Sequence, residues 1–237
     1  MRITIYLIVI LFVILTGCEQ HKKINWQAKS ENSAYGLTLG YSLPEKKVRE
    51  ITGNKFIPVL DSNKDGFLML FIETSKQYNL QNKTFENMHM AHIAIPCKES
   101  INCPVTIASE NQEIRNVYTQ FNFKVDKGDV NFLVKEKGDS LFISARIGTQ
   151  EGNIEIKANV LNNPGKLQTN DTKVTASVPN SFFIGKESFR SVKIPSAKIE
   201  YEGKNWISQF NLKPEPDVIL LNTEFVWDFT FTKISSE

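Results

Sequence analysis

The sequence predicts a mainly β (α+β) fold: a single antiparallel β-barrel or sandwich-like domain with few short helices. Three observations carry that prediction. From Val117 onward, alternating segments follow one another at short spacing, separated by turns rich in Gly, Asn and Pro, the rhythm of an all-β domain. In the closing segment Phe225, Trp227, Phe229 and Phe231 alternate strictly with Val226, Asp228, Thr230 and Thr232, so a two-residue period puts all four aromatic rings on one face. Strand patterns outnumber plausible helices by far, with Ser42-Leu43-Pro44-Glu45 a plausible helix start. Hydrophobic content of 41% and charged content of 23% are ordinary globular values.

The first residues must be set aside before any fold reasoning. Arg2 precedes an unbroken apolar run over residues 5–15, followed by Leu15-Thr16-Gly17-Cys18. The run is shorter than the ~20 residues a comfortable membrane span needs. The tetrapeptide resembles the lipobox of bacterial lipoproteins, whose cysteine receives a diacylglyceryl group and becomes the first residue after cleavage. That resemblance implies a signal peptide over residues 1–17, acylation of Cys18 and a membrane partner reached through the lipid. Glu19, rather than Asp, follows the cysteine, which by the sorting rule of many Gram-negative lipoproteins implies the outer membrane, facing the periplasm. Residues 18–33 are polar with little periodicity and read as a lipidated tether, leaving residues 34–237 as one domain. A net charge of +2 gives no case for nucleic acid. Nothing in the sequence names a protein partner.

Each element follows in order. Tyr35 to Tyr41 alternates weakly, a first strand. Ser42 can accept from a backbone N–H three residues on while Glu45 reaches back, a capping box. Pro44 is tolerated in the first turn, and the helix would carry Val48 and Ile51 inward and stop near Gly53. Asp61-Ser62-Asn63-Lys64-Asp65-Gly66 looks like half of a calcium loop, but its twelfth position is Ile72 and Glu73 falls one place late, so a polar turn between strands is expected. Residues 67–72 form a continuous apolar run of strand length, 76–84 a polar excursion, and 85–96 a second strand. Val117, Thr119, Phe121, Phe123 and Val125 share a face, as in a strand. Val130, Phe132 and Val134 lead through a Lys137-Gly138-Asp139 turn into Leu141, Ile143, Ala145 and Ile147, a hairpin. Gly148 and Gly152 bracket the next turn, before Ile154, Ile156, Ala158 and Val160. After the break at Asn162-Asn163-Pro164-Gly165, strand patterns resume at 174–178, 182–184 and 192–201. Trp206, Ser208, Phe210 and Leu212 form a mixed face.

With Cys18 acylated, Cys97 and Cys103 remain, in a loop flanked by Pro96 and Pro104. In an oxidising envelope the expectation is a disulfide, which on the chain-entropy model stabilises by roughly 2 kcal/mol. The spacing is wider than a zinc knuckle.

Strand geometry sorts the 85–96 segment into two faces. Met88, Met90, His92 and Ala94 share one; His89, Ala91, Ile93 and Ile95 share the other. His89 and His92 therefore cannot ligate one ion from a regular strand. Met88, Met90 and His92 are candidates for a cavity wall or for soft copper(I), against the plain reading that the methionines fill a core. Nucleophile motifs and phosphate-cradling glycine loops are absent, and no cofactor is implied.

Leu43-Pro44-Glu45-Lys46-Lys47-Val48, then Phe56-Ile57-Pro58, a buried strand, a polar stretch and a strand ending Ala94-Ile95-Pro96 together resemble the acetoacetate decarboxylase-like superfamily. The resemblance spans Tyr41 to Val160, including the region from Lys124 to Phe132 and the turn at Lys137-Gly138-Asp139, with an echo in Phe225-Val226-Trp227-Asp228-Phe229. It implies a β-rich domain around a site where a lysine, its pKa lowered by an adjacent lysine, forms a Schiff base with a keto acid; acetoacetate decarboxylase is the standing example of that activation. The family's adjacent lysine pair has no direct match: Val125 and Asp126 separate Lys124 from Lys127, and a neighbouring carboxylate favours the charged amine rather than the neutral nucleophile. The family's acid on the second strand falls at Met90, with Glu86 nearby but out of phase. The expectation is a lipid-anchored envelope protein holding a small organic ligand without decarboxylase activity. The alternatives are a Schiff-base enzyme using Lys124 or Lys127 with Glu86, and a periplasmic copper-binding or assembly lipoprotein.

Overall fold

A computed structural model describes residues 22–31, 34–98, 100, 103–176 and 180–235. Cys18 and the N-terminal segment lie outside the described residues, as does the side chain of Cys103. Among the described residues no helix is long and apolar enough to cross a membrane.

In chain order the elements are β1 (Lys22–Glu31), β2 (Ala34–Pro44), α1 (Glu45–Ile51), β3 (Asp65–Leu80), β4 (Lys83–Ile95), β5 (Cys103–Ser109), α2 (Gln112–Gln120) and β6 (Val125–Lys127). There follow β7 (Asp129–Lys137), β8 (Ser140–Gly148), β9 (Gly152–Leu161), β10 (Gln168–Thr175), β11 (Ser181–Lys193), β12 (Lys198–Gly203), α3 (Trp206–Gln209) and β13 (Val218–Ser235). They build two sheets. The larger runs β10-β11-β13-β1-β3-β4-β5-β6, with β2 also lying between β13 and β3. All its pairings are antiparallel except β5 with β6. The smaller is ordered β12-β9-β8-β7. The terminal strands β10 and β6 do not pair, so the large sheet is not a closed barrel.

Strand alternation divides the interior into two cores. Leu37, Leu39, Leu68, Leu70, Ile72 and Ile93 point toward the small sheet, where Phe132, Ile143 and Ile156 meet them. The opposite face of the large sheet carries the aromatics. Tyr78, Phe225, Trp227 and Phe231 pack there with Tyr118 of α2 and Phe121 at its C-cap. At about 25 cal/mol per Å² of apolar surface removed from water, each such ring contributes roughly 2–3 kcal/mol.

Several elements differ from the sequence expectation, each for a physical reason. Residues 22–31, read as tether, form β1, which pairs with both β13 and β3; Ala28 and Ser30 are fully buried. Its polar composition masked a two-residue alternation of Ile24, Trp26, Ala28 and Ser30 against Lys23, Asn25, Gln27 and Lys29. The strand expected through Val117 and Phe121 is helix α2, which buries Ile114, Val117 and Tyr118, the i, i+3, i+4 spacing of one helical face. Asn111 caps it, its side chain accepting from Glu113 N and Ile114 N. The capping box at Ser42 does not form: Ser42 belongs to β2 and its N–H donates to Asp217 Oδ2 at 2.7 Å, so α1 starts without a side-chain cap. The segment read as one strand over 192–201 is divided between β11 and β12 in different sheets, with Pro195 in the gap. Trp206 opens the short helix α3, capped by Asn205.

Other expectations match the structure. Asp61 Oδ1 accepts from Asn63 N and Asp65 N, making the 61–66 segment a polar turn. Lys137 pairs with Ser140 across Gly138 and Asp139, and Gly138 takes φ 58°, as the first central position of a II′ hairpin requires.

Candidate functional site

The faces of β3, β4, β11 and β13 directed away from the small sheet enclose a cavity of about 520 Å³, a volume suited to a small organic ligand. Alternation selects its walls. On β3, Met69, Phe71 and Glu73 enter the cavity while Leu68, Leu70 and Ile72 enter the core between the sheets. On β4, Met90, His92 and Ala94 enter it while Ala91, Ile93 and Ile95 do not. On β11, Phe183, Glu187, Phe189 and Ser191 follow the same rule.

β13 obeys a different parity at each end. Leu220 and Asn222 face the cavity, and beyond them Phe225, Trp227 and Phe229 do. Between Asn222 and Phe225 the register with β2 shifts by one residue, the register with β11 shifts alongside, and Glu224 takes φ 50°. This is a β-bulge, which inserts one residue and re-aims the side chains after it. Without it the even-numbered face of Leu220 would continue as Val226 and Asp228.

Glycine supplies the floor. Gly36 lies between Glu73 and Asn222 in register, and a Cβ there would stand 2.6 Å from the Phe71 ring. The missing side chain lets Phe71 fold over β2 into the cavity.

The aromatic lining is continuous. Ring centroids lie 5.6 Å apart for Phe71 and Phe225, 5.3 Å for Trp227 and Phe229, and 4.9 Å for Phe183 and Phe229. His92 leans on Phe71 at 5.0 Å. Exposed Gln168 and Asn170 of β10 line the cavity's edge.

Glu73, Glu187, His92 and Tyr118 are the ionisable groups among the described residues that face this interior. Glu73 is 5% exposed, and burial first, then the charge of Glu187, pushes its carboxyl up to about 8. Burial likewise raises Glu187. Burial lowers His92 to about 4, so its imidazole is neutral at physiological pH. Burial and the Glu187 charge account for the shift of the Glu73 carboxyl, and no hydrogen bond or ion pair to a described residue enters it. Among the described residues no lysine or arginine lines the cavity.

Of the residues singled out from sequence, Met90 and His92 line this cavity. Met88 does not: it packs in the aromatic core and borders a separate recess with Glu86 and His89. At about 3.3 Å of rise per residue, Met88 and His92 stand roughly 13 Å apart along β4, so the copper set of Met88, Met90 and His92 does not converge on one ion. His89, on the other face, accepts at Nδ1 from Phe132 N at 3.3 Å and ties β4 to the small sheet. Lys124, Lys127 and Glu86 are exposed, outside the cavity, while Phe123 next to Lys124 is buried among the aromatics. Asp126 accepts at Oδ2 from Thr106 Oγ1 at 2.7 Å and from Trp206 Nε1 at 3.3 Å, a structural role. Cys97 is buried near the start of the β4–β5 connection; its pairing with Cys103 turns on a side chain outside the described residues.

Neither cavity carboxyl is singled out by the sequence pattern. Read locally, Glu73 is only a misplaced calcium ligand, yet its parity with Met69 and Phe71 marks the face it shares. In register it stands directly opposite Met90, the position where the family resemblance expected an acid, so the carboxyl is supplied from the neighbouring strand. Glu187 shares its parity with Phe183 and Phe189, but that strand was divided in the sequence reading.

No family model matches the sequence, nor does any curated protein. Solved structures do match. The enduracididine biosynthesis enzyme MppR complexed with pyruvate superposes with a TM-score of 0.58 at 9% identity, covering 92% of this chain and 93% of that one. An acetoacetate decarboxylase-like enzyme from Sphingomonas wittichii RW1 gives a TM-score of 0.56 at 10% identity, covering 90% and 92%. Acetoacetate decarboxylase from Legionella pneumophila subsp. pneumophila str. Philadelphia 1 gives 0.55 at 10% identity, covering 88% and 86%. Likeness at such identities speaks to the fold alone, and across nearly the whole length of each chain that fold is acetoacetate decarboxylase-like.

Proposed function

We propose that this chain is a lipid-anchored protein of the bacterial envelope whose β-rich domain binds a small organic molecule and does not decarboxylate keto acids. The observation that carries the reading is the cavity's composition: a volume of about 520 Å³, an aromatic wall and two carboxyls, with no lysine among the described lining residues. Schiff-base chemistry needs a neutral amine within reach of the carbonyl, and Lys124 and Lys127 are exposed on the surface instead. The anchor rests on Leu15-Thr16-Gly17-Cys18, and an oxidised Cys97–Cys103 pair would suit the same compartment.

One neighbour in fold was solved with pyruvate, so keto acids are the compounds to test for turnover. The protein is incubated with pyruvate or acetoacetate, reduced with borohydride and weighed intact. Unchanged mass is the expected result; a covalent adduct on any lysine would overturn the non-catalytic part. In the producing cell, labelled palmitate should be incorporated by the wild type and lost in Cys18→Ser.

A further inference from the structure

The cavity's charge pattern opposes an anionic ligand. Glu73 and Glu187 both face it, and among the described residues no cationic side chain lines it. A keto acid or other carboxylate would find no counter-charge among the described lining residues and would meet two carboxyls whose ionised forms repel it. Glu73 is 95% removed from solvent at 5% exposure, has no hydrogen-bond partner among the described residues and points into empty volume. Buried polar groups are nearly always satisfied, and one that is not calls for a ligand to satisfy it.

The rest of the lining fits the same occupant. Phe71, Phe183, Phe225, Trp227 and Phe229 line the volume in mutual ring contact, and aromatic rings attract cations through their quadrupole. Carboxyls combined with a multi-ring enclosure suit an organic ammonium group: the rings take its alkyl or aromatic substituents and its dispersed charge, and a carboxylate takes the remainder.

We propose that the cavity selects an organic ammonium cation, held by Glu73 and Glu187 within the aromatic enclosure formed around Trp227. The inference rests on the small-molecule-binding reading and names the ligand's charge class. It has a pH signature. The ionisable groups facing Glu73 are Glu187 on β11, His92 on β4, Tyr118 on α2 and Tyr78 on β3; β2 and β13 present Gly36, Thr38, Asn222 and Trp227, none of which titrates. With His92 held neutral and both tyrosines raised by burial, Glu73, at about 8, is the group that changes charge between pH 6 and pH 9. A cation binds its ionised form, so its affinity rises over that interval.

The test uses choline, a permanent cation, its uncharged isostere in which a tert-butyl group replaces trimethylammonium, and pyruvate. Binding is followed by calorimetry and by Trp227 fluorescence at pH 6 and pH 9. Choline should bind at least about tenfold more tightly than the isostere at pH 9, with the preference shrinking at pH 6 and disappearing in Glu73→Gln/Glu187→Gln. If the isostere or pyruvate binds as tightly as choline, the cation assignment is overturned while small-molecule binding stands. A choline preference that does not change between pH 6 and pH 9 in the wild type also overturns it, and that measurement needs no variant to fold. If none of the three binds at millimolar concentration, both this assignment and the binding reading fall.

Discussion

Glu73 is the side chain whose surroundings differ most from those of a carboxylate in water. Its folded-state pKa near 8 lies above the ~4.3 of an unfolded chain, so the native state holds its proton over an interval in which the unfolded state has released it. The group's contribution to stability is therefore greatest at acid pH, falls as pH rises from the unfolded pKa through about 8, and changes no further above that. The slope approaches about 1.4 kcal/mol per pH unit in the steep part of the interval. Glu73→Gln keeps the shape and removes the titration. Urea unfolding midpoints of the wild type should fall between pH 6 and pH 8, with a flatter profile in the variant and a variant more stable than the wild type at pH 8. Glu187, raised by the same cause, leaves a residual slope. An unchanged slope in the variant would show that Glu73 ionises as it would in water. The residue was readable from sequence only as an acid within a strand. Its missing partner is a property of the four strands that surround it.

At the scale of elements, strand parity carries the site and local exceptions tune it. The faces of β4 are those the sequence prescribed, because a strand's two-residue period needs no knowledge of its neighbours. The β13 bulge and Gly36 were not readable in this way, since each matters only through what lies across the sheet. Gly36→Ala places a methyl group against the Phe71 ring, which is 2.6 Å away at the Cβ position, and the ring must swing further into the cavity. Overpacking of this kind costs about 1–3 kcal/mol. A thermal melt should show a lowered midpoint, and any probe that quenches Trp227 should bind more weakly. A midpoint and affinity equal to wild type would mean that Phe71 has room to move. Helix α2 teaches the converse lesson. Val117, Thr119, Phe121, Phe123 and Val125 fit a two-residue period, yet Ile114, Val117, Tyr118 and Phe121 fit a helical one, and Asn111 decided between them by capping the first turn.

For the whole molecule, the large sheet depends on a strand that the composition disguises. β1 supplies pairing to β13 on one side and β3 on the other, and with β2 it fills the slot between them. A chain beginning at residue 34 leaves those edges open and exposes apolar surface near Tyr78 and Trp227. Compared with a chain beginning at residue 22, it should lose about 10 °C or more from its melting midpoint or fail to stay soluble. A tether would be dispensable, so equal melting midpoints would restore that reading.

The sequence by itself determined the fold class, the two faces of β4 and the hairpins of the small sheet, because these follow from local periodicity and turn chemistry. It also contained the family likeness, carried by the order of elements rather than by any motif. The tertiary structure alone decided that Met90 and His92 share a cavity with Glu73 and Glu187, that Lys124 and Lys127 are outside it, and that Met88 is set apart. Those outcomes depend on register across β3, β4, β11 and β13 and on one bulge, and pairings between segments more than a hundred residues apart leave no local trace in the chain.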